Sequence, residues 1–262
     1  MVKGGFVVIM KAYEEYHKII TELMNAIVRD EKDSLAKAAD IIADTIQDDK
    51  LIYVFGTGGH SYICAEEMFY RAGGLVPVCP ILDPGVSIAF GAARSTWIER
   101  LPGYSQRVLK SYGVGKGDTL IVANAYGINS STIDAAIEGK RLGAKVIAIT
   151  SPTFSKQVPS NHPARHPSCS NLFELEEVDV VIDNHMPVGD AIVELQGLDG
   201  VKVGPSSTMV NAFTINSLVL SAMETLVERG MTPPVWVSSN MPGGDEANAK
   251  YLKEYGPRIK HL

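Results

Sequence analysis

Three short segments of the chain combine glycines, hydroxyl groups and side-chain amides in a way that suits the binding of an anion. The first is the turn after the apolar run Leu51–Phe55, and a helical pattern follows it. Glycines let backbone amides approach a ligand closely and tolerate positive φ angles. The start of the helix adds unpaired N–H groups and a partial positive charge. The turn is therefore predicted to bind a phosphate through Gly58, Gly59, His60 and Ser61.

Two better-known phosphate-binding loops do not fit this turn. A dinucleotide-binding loop has a third glycine where this chain has Ser61. It also has an acid near the end of the second strand; that strand is predicted here as Leu75–Cys79, and its expected end within Val76–Pro80 contains no acid. A P-loop requires a Gly-Lys-Ser/Thr sequence that does not follow here. A tight connection between strand and helix, with no ligand, remains the alternative.

The second and third segments also stand next to predicted helices. One follows the strand Thr119–Ala123, and the other precedes the long apolar helix Thr208–Arg229. A helix needs one capping hydroxyl, and each segment offers more polar groups than that. The residues expected to touch a ligand are Asn124, Tyr126, Gly127, Asn129, Ser130 and Ser131 in the second segment and Ser206, Ser207 and Thr208 in the third.

The composition limits the classes of protein to consider. The chain has 262 residues, 45% of them hydrophobic, and a formal net charge of −6. This acidity argues against a nucleic-acid partner, which normally meets a basic surface. The apolar run Phe6–Met10 is too short to span a membrane or to form a signal sequence. Three cysteines without a CxxC pair favour a reducing, cytoplasmic location.

Apolar strands alternate with helices along most of the chain, and the predicted elements include the helices Ser61–Arg71 and Tyr104–Tyr112 and the strand Lys145–Thr150. Two amphipathic helices are predicted within residues 1–50, where they pack on the domain and on a partner subunit, and residues 51–262 form one α/β domain. Continuous apolar strands separated by helices indicate a parallel sheet that is covered on both faces. Ligands of such sheets bind beyond the carboxyl ends of the strands, where the three segments are expected.

Several longer motifs resemble one subgroup of the sugar isomerase (SIS) domain family, single-domain proteins related to phosphoheptose isomerase. The motifs are AEEMFYRAGG (Ala65–Gly74), RLGAKVIAITS (Arg141–Ser151), VDVVIDN (Val178–Asn184), GDAIVEL (Gly189–Leu195), VGPSST (Val203–Thr208) and NMPGGDEANAKYL (Asn240–Leu252). The resemblance implies a flavodoxin-like three-layer αβα sandwich with a five-stranded parallel sheet. It also implies a sugar phosphate ligand and a homodimer or homotetramer with the site at the subunit interface.

The chain departs from the family pattern in both phosphate loops. The first loop of this chain is one residue longer than the family pattern. In the second loop, Ala123 and Ala125 replace serines of the family pattern, and Tyr126 is an insertion in this chain. Each lost hydroxyl–phosphate bond forfeits about 1.5–3 kcal/mol. Three interpretations remain open: Ser130, Ser131 and the helix amides compensate for the lost hydroxyls, the anion has shifted, or the ligand is not phosphorylated at that end.

Aldose–ketose isomerisation requires a group that carries a proton between neighbouring carbons. Of the adjacent carboxylates Glu66 and Glu67, at most one faces the first loop, and Glu67 is the favoured choice. His185, at the end of the strand Val178–Ile182, is the favoured imidazole. Asp190 and Glu194 are expected to be structural.

No metal or other cofactor is expected. His162, His166 and Cys169 have suggestive spacings, but Pro163 and Pro167 interrupt any helix that would align them. Two or three isolated ligands do not form a closed zinc site.

The sequence therefore predicts a cytoplasmic sugar-phosphate isomerase that works through an enediol. Two alternatives remain: a non-catalytic sugar-phosphate sensor or binding subunit, and an amino-sugar phosphate lyase of the etherase type.

Overall fold

The chain folds into three layers, with a parallel sheet between two layers of helices. The structure is a computed structural model that describes residues 10–262, so most of the apolar run Phe6–Met10 lies outside the described residues. The strands of the central sheet are β1 (Ile52–Gly56), β2 (Val78–Pro80), β3 (Thr119–Ala123), β4 (Lys145–Thr150) and β5 (Val180–Asp183). They are parallel, in the order β2-β1-β3-β4-β5. The predicted flavodoxin-like sandwich is confirmed.

Nine α-helices are present in the described part of the chain. They are α1 (Ala12–Asp30), α2 (Lys32–Gln47), α3 (Ile63–Met68), α4 (Ala92–Glu99), α5 (Tyr104–Tyr112), α6 (Ser130–Arg141), α7 (Pro152–Ser155), α8 (Ser207–Glu228) and α9 (Gly244–Tyr255). Strands β6 (Ala191–Glu194) and β7 (Lys202–Pro205) form an antiparallel hairpin beside the main sheet.

Successive residues of each strand face opposite layers, and this alternation separates the interior into two cores. Ile52, Val54 and Ile121 join α2, α3 and α8 on one side of the sheet. Tyr53, Phe55 and other strand residues join α5, α6 and the C-terminal segment on the other. Because both faces are covered, the strands read as continuous apolar runs in the sequence.

Helix α1 holds the β6–β7 hairpin against the domain. Ile20 is buried with Ile192 and Val193 of β6. The Tyr16 hydroxyl donates a hydrogen bond of 2.8 Å to the carbonyl oxygen of Pro205 at the end of β7. The hairpin therefore has a fixed position beside the first turn of α8.

Helix α8 is long and apolar enough to cross a membrane, but it is a helix of the core. Its buried side chains include Ile215, Leu218 and Ala222, which pack with α2 and α3. This packing is the reason for its apolar composition.

Three local features differ from the sequence prediction. β2 begins at Val78 rather than Leu75, because Leu75 forms an antiparallel bridge with Val235 instead. The helix predicted from Ser61 to Arg71 is shorter, since the backbone becomes extended at Phe69 and Tyr70 has a φ of 49°. The third feature is unpredicted structure, namely α4, α7 and the β6–β7 hairpin.

Candidate functional site

A cavity of about 210 Å³ lies at the carboxyl ends of β1 and β3. The strand order reverses between these two strands, and such a switch point is where open α/β sheets bind ligands. The lining residues are Gly58, Gly59, His60, Ser61, Ile88, Ala92, Ser95, Thr96, Glu99, Asn124, Ala125, Tyr126, Asp190 and Ser207. All three segments predicted from the sequence therefore reach one cavity.

The turn after β1 is shaped by its glycines. A Cβ at Gly56 would collide with the carbonyl oxygen of Ser61, and Gly58 and Gly59 have φ angles of 139° and 51°. The turn leads through a single 3₁₀ segment, Gly59–Tyr62, into α3. Among the described residues, no acceptor takes the backbone amides of Gly58, Gly59 and His60. These amides are the free donors that a bound anion requires.

Ser61 joins the first loop to the second. Its Oγ accepts a hydrogen bond of 3.0 Å from the amide of Ala125, which is one of the two alanines that replace family serines. Deeper in the fold, the hydroxyls of Thr57 and Thr132 lie 2.6 Å apart and form a second link. The Ser61 hydroxyl keeps its own proton available for a ligand oxygen.

The polar groups of the second loop mostly satisfy one another. The Asn124 side-chain oxygen accepts from the amides of Tyr126 and Gly127, at 3.0 and 2.9 Å. Asn129 caps α6 through the amide of Thr132, and Ser131 shares a hydrogen bond with Ser105. Of the six residues predicted in this loop, Asn124 and Tyr126 line the cavity, whereas Gly127, Asn129, Ser130 and Ser131 lie behind it.

Ser130 is the exception within that network. Its Oγ is buried and has no hydrogen-bond partner among the described residues. The hydroxyl does not reach the cavity, so its role is not explained by the arrangement of this loop.

The hydrogen-bond donors of the third segment are bound by the side chain of Asp190. Asp190 Oδ1 accepts from the amides of Ser206 and Ser207 at 2.8 and 2.7 Å, and Asp190 Oδ2 accepts from the Ser207 hydroxyl at 2.8 Å. Asp190 and Ser207 line the cavity, while Ser206 and Thr208 do not. The N-terminus of α8 thus has its anion already.

Glu99, at the end of α4, was not predicted from the sequence. Its carboxyl lies against Gly58, since a Cβ at Gly58 would collide with Glu99 Oε2. Burial raises the pKa of Glu99 to about 7, and the charge of Arg100 opposes this shift. Glu99 is therefore an acid–base group with a pKa near neutrality at the wall of the cavity.

A signal for Glu99 was present in the connection between β2 and α5. Ile88, Ala92, Ser95 and Glu99 recur at helical spacing, and all of them line the cavity. Ile88 precedes α4, and the face that Ala92, Ser95 and Glu99 form is small or polar, so α4 has little apolar character to mark it as a helix. Hydrophobic periodicity alone does not detect such a helix.

Neither predicted proton carrier lines the cavity. Glu67 accepts a 3.0 Å hydrogen bond from Asn216 of α8 and forms an ion pair with Arg71 at 3.3 Å. His185 Nε2 lies 3.5 Å from Glu31 Oε1, near the junction of α1 and α2. The structure of one chain thus turns Glu67 toward α8 and His185 toward the N-terminal helices.

Within residues 10–262, no group of three or more His, Cys, Asp or Glu side chains has the arrangement of a metal site. His166 faces Asp134 of α6 at 3.4 Å, and Cys169 is exposed. The three residues with suggestive spacing therefore belong to a loop whose contacts are with the protein.

Comparison with protein families and curated proteins places the chain among known sequences. A family model described as SIS domain matches residues 15–151. The UPF0309 protein of Geobacillus thermodenitrificans is 39% identical over 249 residues, which span 95% of this chain and 97% of the relative. A UPF0309 protein of Shouchella clausii is 39% identical over 254 residues, 97% of this chain and 100% of the relative.

Solved structures share the fold. Phosphoheptose isomerase from Neisseria gonorrhoeae is 13% identical with a TM-score of 0.50, over 81% of this chain and 95% of that chain. The enzyme from Francisella tularensis is 14% identical with a TM-score of 0.50, over 82% of this chain and 100% of that chain. At these identities the likeness concerns the fold alone. From the family match and the full-length relatives together, the chain belongs to the SIS domain family and groups with its UPF0309 proteins.

Proposed function

We propose that the chain binds a sugar phosphate in this cavity and catalyses an aldose–ketose isomerisation. The observation that carries the proposal is the position of Glu99, a carboxyl with a pKa of about 7, directly against a glycine turn whose amides have no acceptor among the described residues. An acid–base group and an anion-binding turn in contact are the two parts that the reaction needs.

The anionic end of the ligand belongs at the turn. The amides of Gly58, Gly59 and His60 and the hydroxyl of Ser61 converge there, and they replace the hydroxyls lost at Ala123 and Ala125. The cavity of about 210 Å³ is smaller than the roughly 300–1,000 Å³ typical of sites for drug-sized ligands. A monosaccharide phosphate is a ligand of the appropriate size.

Glu99 carries the proton in this proposal. As a carboxylate it takes the proton from carbon 2 of the open-chain sugar, and as the acid it returns that proton to carbon 1 of the enediol. One proton moves in the same conversion from the hydroxyl oxygen on carbon 2 to the oxygen on carbon 1. A pKa near the working pH lets one group perform both steps. Glu67 and His185, which the sequence suggested for this role, have no contact with the cavity in the described chain.

Tyr126 is the proposed donor to the carbonyl oxygen of the sugar. Its ring stacks on Phe154 with centroids 4.2 Å apart, so the phenol is held in the cavity. Burial, with the nearby charges of Asp190 and Glu99, raises the pKa of Tyr126. The hydroxyl therefore keeps its proton at neutral pH and can stabilise the oxygen of the enediol.

Self-association is part of the proposal. The segment that forms the outer wall of the cavity exposes Phe90, Trp97 and Leu101, with Trp97 70% exposed. Large exposed side chains beside a site favour a surface that a second copy of the chain covers. A homodimer or homotetramer would then close the cavity, in a cytoplasmic protein.

The test of the proposal is exchange at carbon 2. The protein is incubated in D₂O with a panel of hexose and heptose phosphates, and deuterium at carbon 2 is followed by NMR. Incorporation with at least one sugar supports isomerisation. A ligand that binds and is recovered without deuterium indicates a sensor instead, and release of lactate from N-acetylmuramic acid 6-phosphate indicates the lyase.

A further inference from the structure

The Asp190 carboxylate sits where a ligand anion would sit. The helix α8 has 22 residues, and its N-terminus offers the amides of Ser206 and Ser207 and the Ser207 hydroxyl to one point. The Ser206 hydroxyl is 3.1 Å from the same carboxylate. Such a set of donors at a helix N-terminus is the arrangement that binds phosphate in other proteins.

The position of Asp190 is built into the fold. Asp190 has a φ of 65°, a left-handed conformation that turns its side chain back toward α8. The residue directly before β6 is tied to the end of β7, because Ala191 pairs with Pro205 and Pro205 accepts from Tyr16 of α1. The carboxylate is thus held by α1, the hairpin and α8 together.

The cavity therefore has two positions suited to an anion, and a carboxylate of the protein fills one of them. The amides of the turn after β1 have no acceptor within residues 10–262, and the donors at the start of α8 are bound by Asp190. Among the described residues, 10–262, those that line the cavity include no Lys or Arg to neutralise a second ligand anion. A ligand group with negative charge near Asp190 would meet the like charge of its carboxylate, and the donors at the start of α8 are already bound to that carboxylate.

We infer that Asp190 determines the specificity of the site: its carboxylate takes the place of a second ligand anion, so the cavity accepts one anionic group and rejects ligands with another at the opposite end. The inference rests on the proposed function for the position of the first anion, at Gly58–His60. The ligand class is then a sugar monophosphate, and sugar bisphosphates and phosphorylated sugar acids are excluded.

The number of phosphate ions bound per chain tests this inference directly. The full chain is titrated with inorganic phosphate by isothermal calorimetry, in wild type and in Asp190→Gly, where glycine tolerates the left-handed backbone. We expect one site per chain in the wild type and two in the variant. The inference is overturned if the variant gains no site, or if the wild type already binds two.

Matched variants distinguish the effect of filling the position at the start of α8 from the effects of the Asp190 charge and of misfolding. Asp190→Asn keeps a neutral acceptor in the position, so it should not gain a phosphate. A phosphate site gained in this variant would show that the charge of Asp190, and not its occupancy of the position, excludes the second anion. Glu194→Gln removes a mostly exposed carboxylate from the same hairpin and should behave as wild type. A gain of one site in Glu194→Gln would contradict the assignment to Asp190.

The outcome also distinguishes this inference from the proposed function. If the wild type binds no phosphate but Asp190→Gly binds one, the inference about α8 stands and the proposed phosphate position at the turn fails. If neither protein binds phosphate, the inference is overturned.

A second experiment uses fructose 1,6-bisphosphate as the probe. Asp190→Gly should bind this sugar at least 10-fold more tightly than the wild type does, while the affinity for fructose 6-phosphate changes less than 3-fold. Equal effects on both sugars would overturn the inference.

Discussion

At the scale of single residues, Glu99 has the property on which the proposed chemistry depends. Its ordinary pKa of 4.5 is raised to about 7 because the folded chain buries it. If Glu99 is the base, Glu99→Gln should reduce deuterium exchange at carbon 2 by at least 100-fold. The wild-type rate should rise with pH through about 7, as the carboxylate forms. An unchanged rate in Glu99→Gln would remove this residue from the mechanism.

The same shift predicts a pH-dependent stability. Between about pH 4.5 and 7 the folded state binds a proton at Glu99 that the unfolded state has released, so stability falls as the pH rises through this window. Glu99→Gln should therefore match the wild type near pH 4 and exceed it by about 2–3 kcal/mol at pH 8. Urea unfolding at both pH values measures the difference. A constant difference across the range would show that the carboxyl is not shifted by burial.

Which single residues meet at the cavity was the feature least predictable from the sequence. The turn Gly58–Ser61 was recognisable because glycine spacing and a preceding strand are local signals. Glu99, Asp190 and Ser207 meet at the cavity from positions separated by up to 108 residues in the chain, and this proximity depends on the fold. Hydroxyls look alike in a sequence, whether they bond a neighbour, as Ser131 does with Ser105, or await a ligand.

At the scale of elements, the β6–β7 hairpin depends on α1. Tyr16→Phe removes the hydrogen bond to Pro205 but keeps the ring in place, so it should cost about 1 kcal/mol. Hydrogen exchange of the hairpin amides should quicken, because their local opening becomes easier. Tyr13→Phe changes a tyrosine of the same helix that is 72% exposed, and it serves as the control. Equal exchange in both variants would show that the bond does not hold the hairpin.

The longer elements were predictable because they have the strongest patterns. α5, β3 and β4 have the predicted bounds, since each is an amphipathic or continuous apolar run closed by glycine or polar residues. α4 was not predicted because it has little apolar character and its large apolar residue Trp97 is exposed. The hairpin was not predicted because exposed apolar residues, among them Leu198, break the alternation expected of a strand pair. Of the three unpredicted elements, α4 contributes Glu99 to the cavity and the hairpin contributes the residue before β6, whereas α7 contributes none of the lining residues.

At the scale of the whole molecule, the exposed side chains beside the cavity predict how copies of the chain meet. Trp97→Ser removes the most exposed large side chain of this wall, so it should lower the mass measured by light scattering toward that of one chain, 28.3 kDa. Leu252→Ser, at an exposed leucine of α9, is the matched control and should leave the mass unchanged. If Trp97→Ser dissociates the assembly and also weakens sugar-phosphate binding, the second copy completes the cavity. If the wild type is a single chain in solution, or if the assembly persists in Trp97→Ser, this wall of the cavity is not the interface between copies.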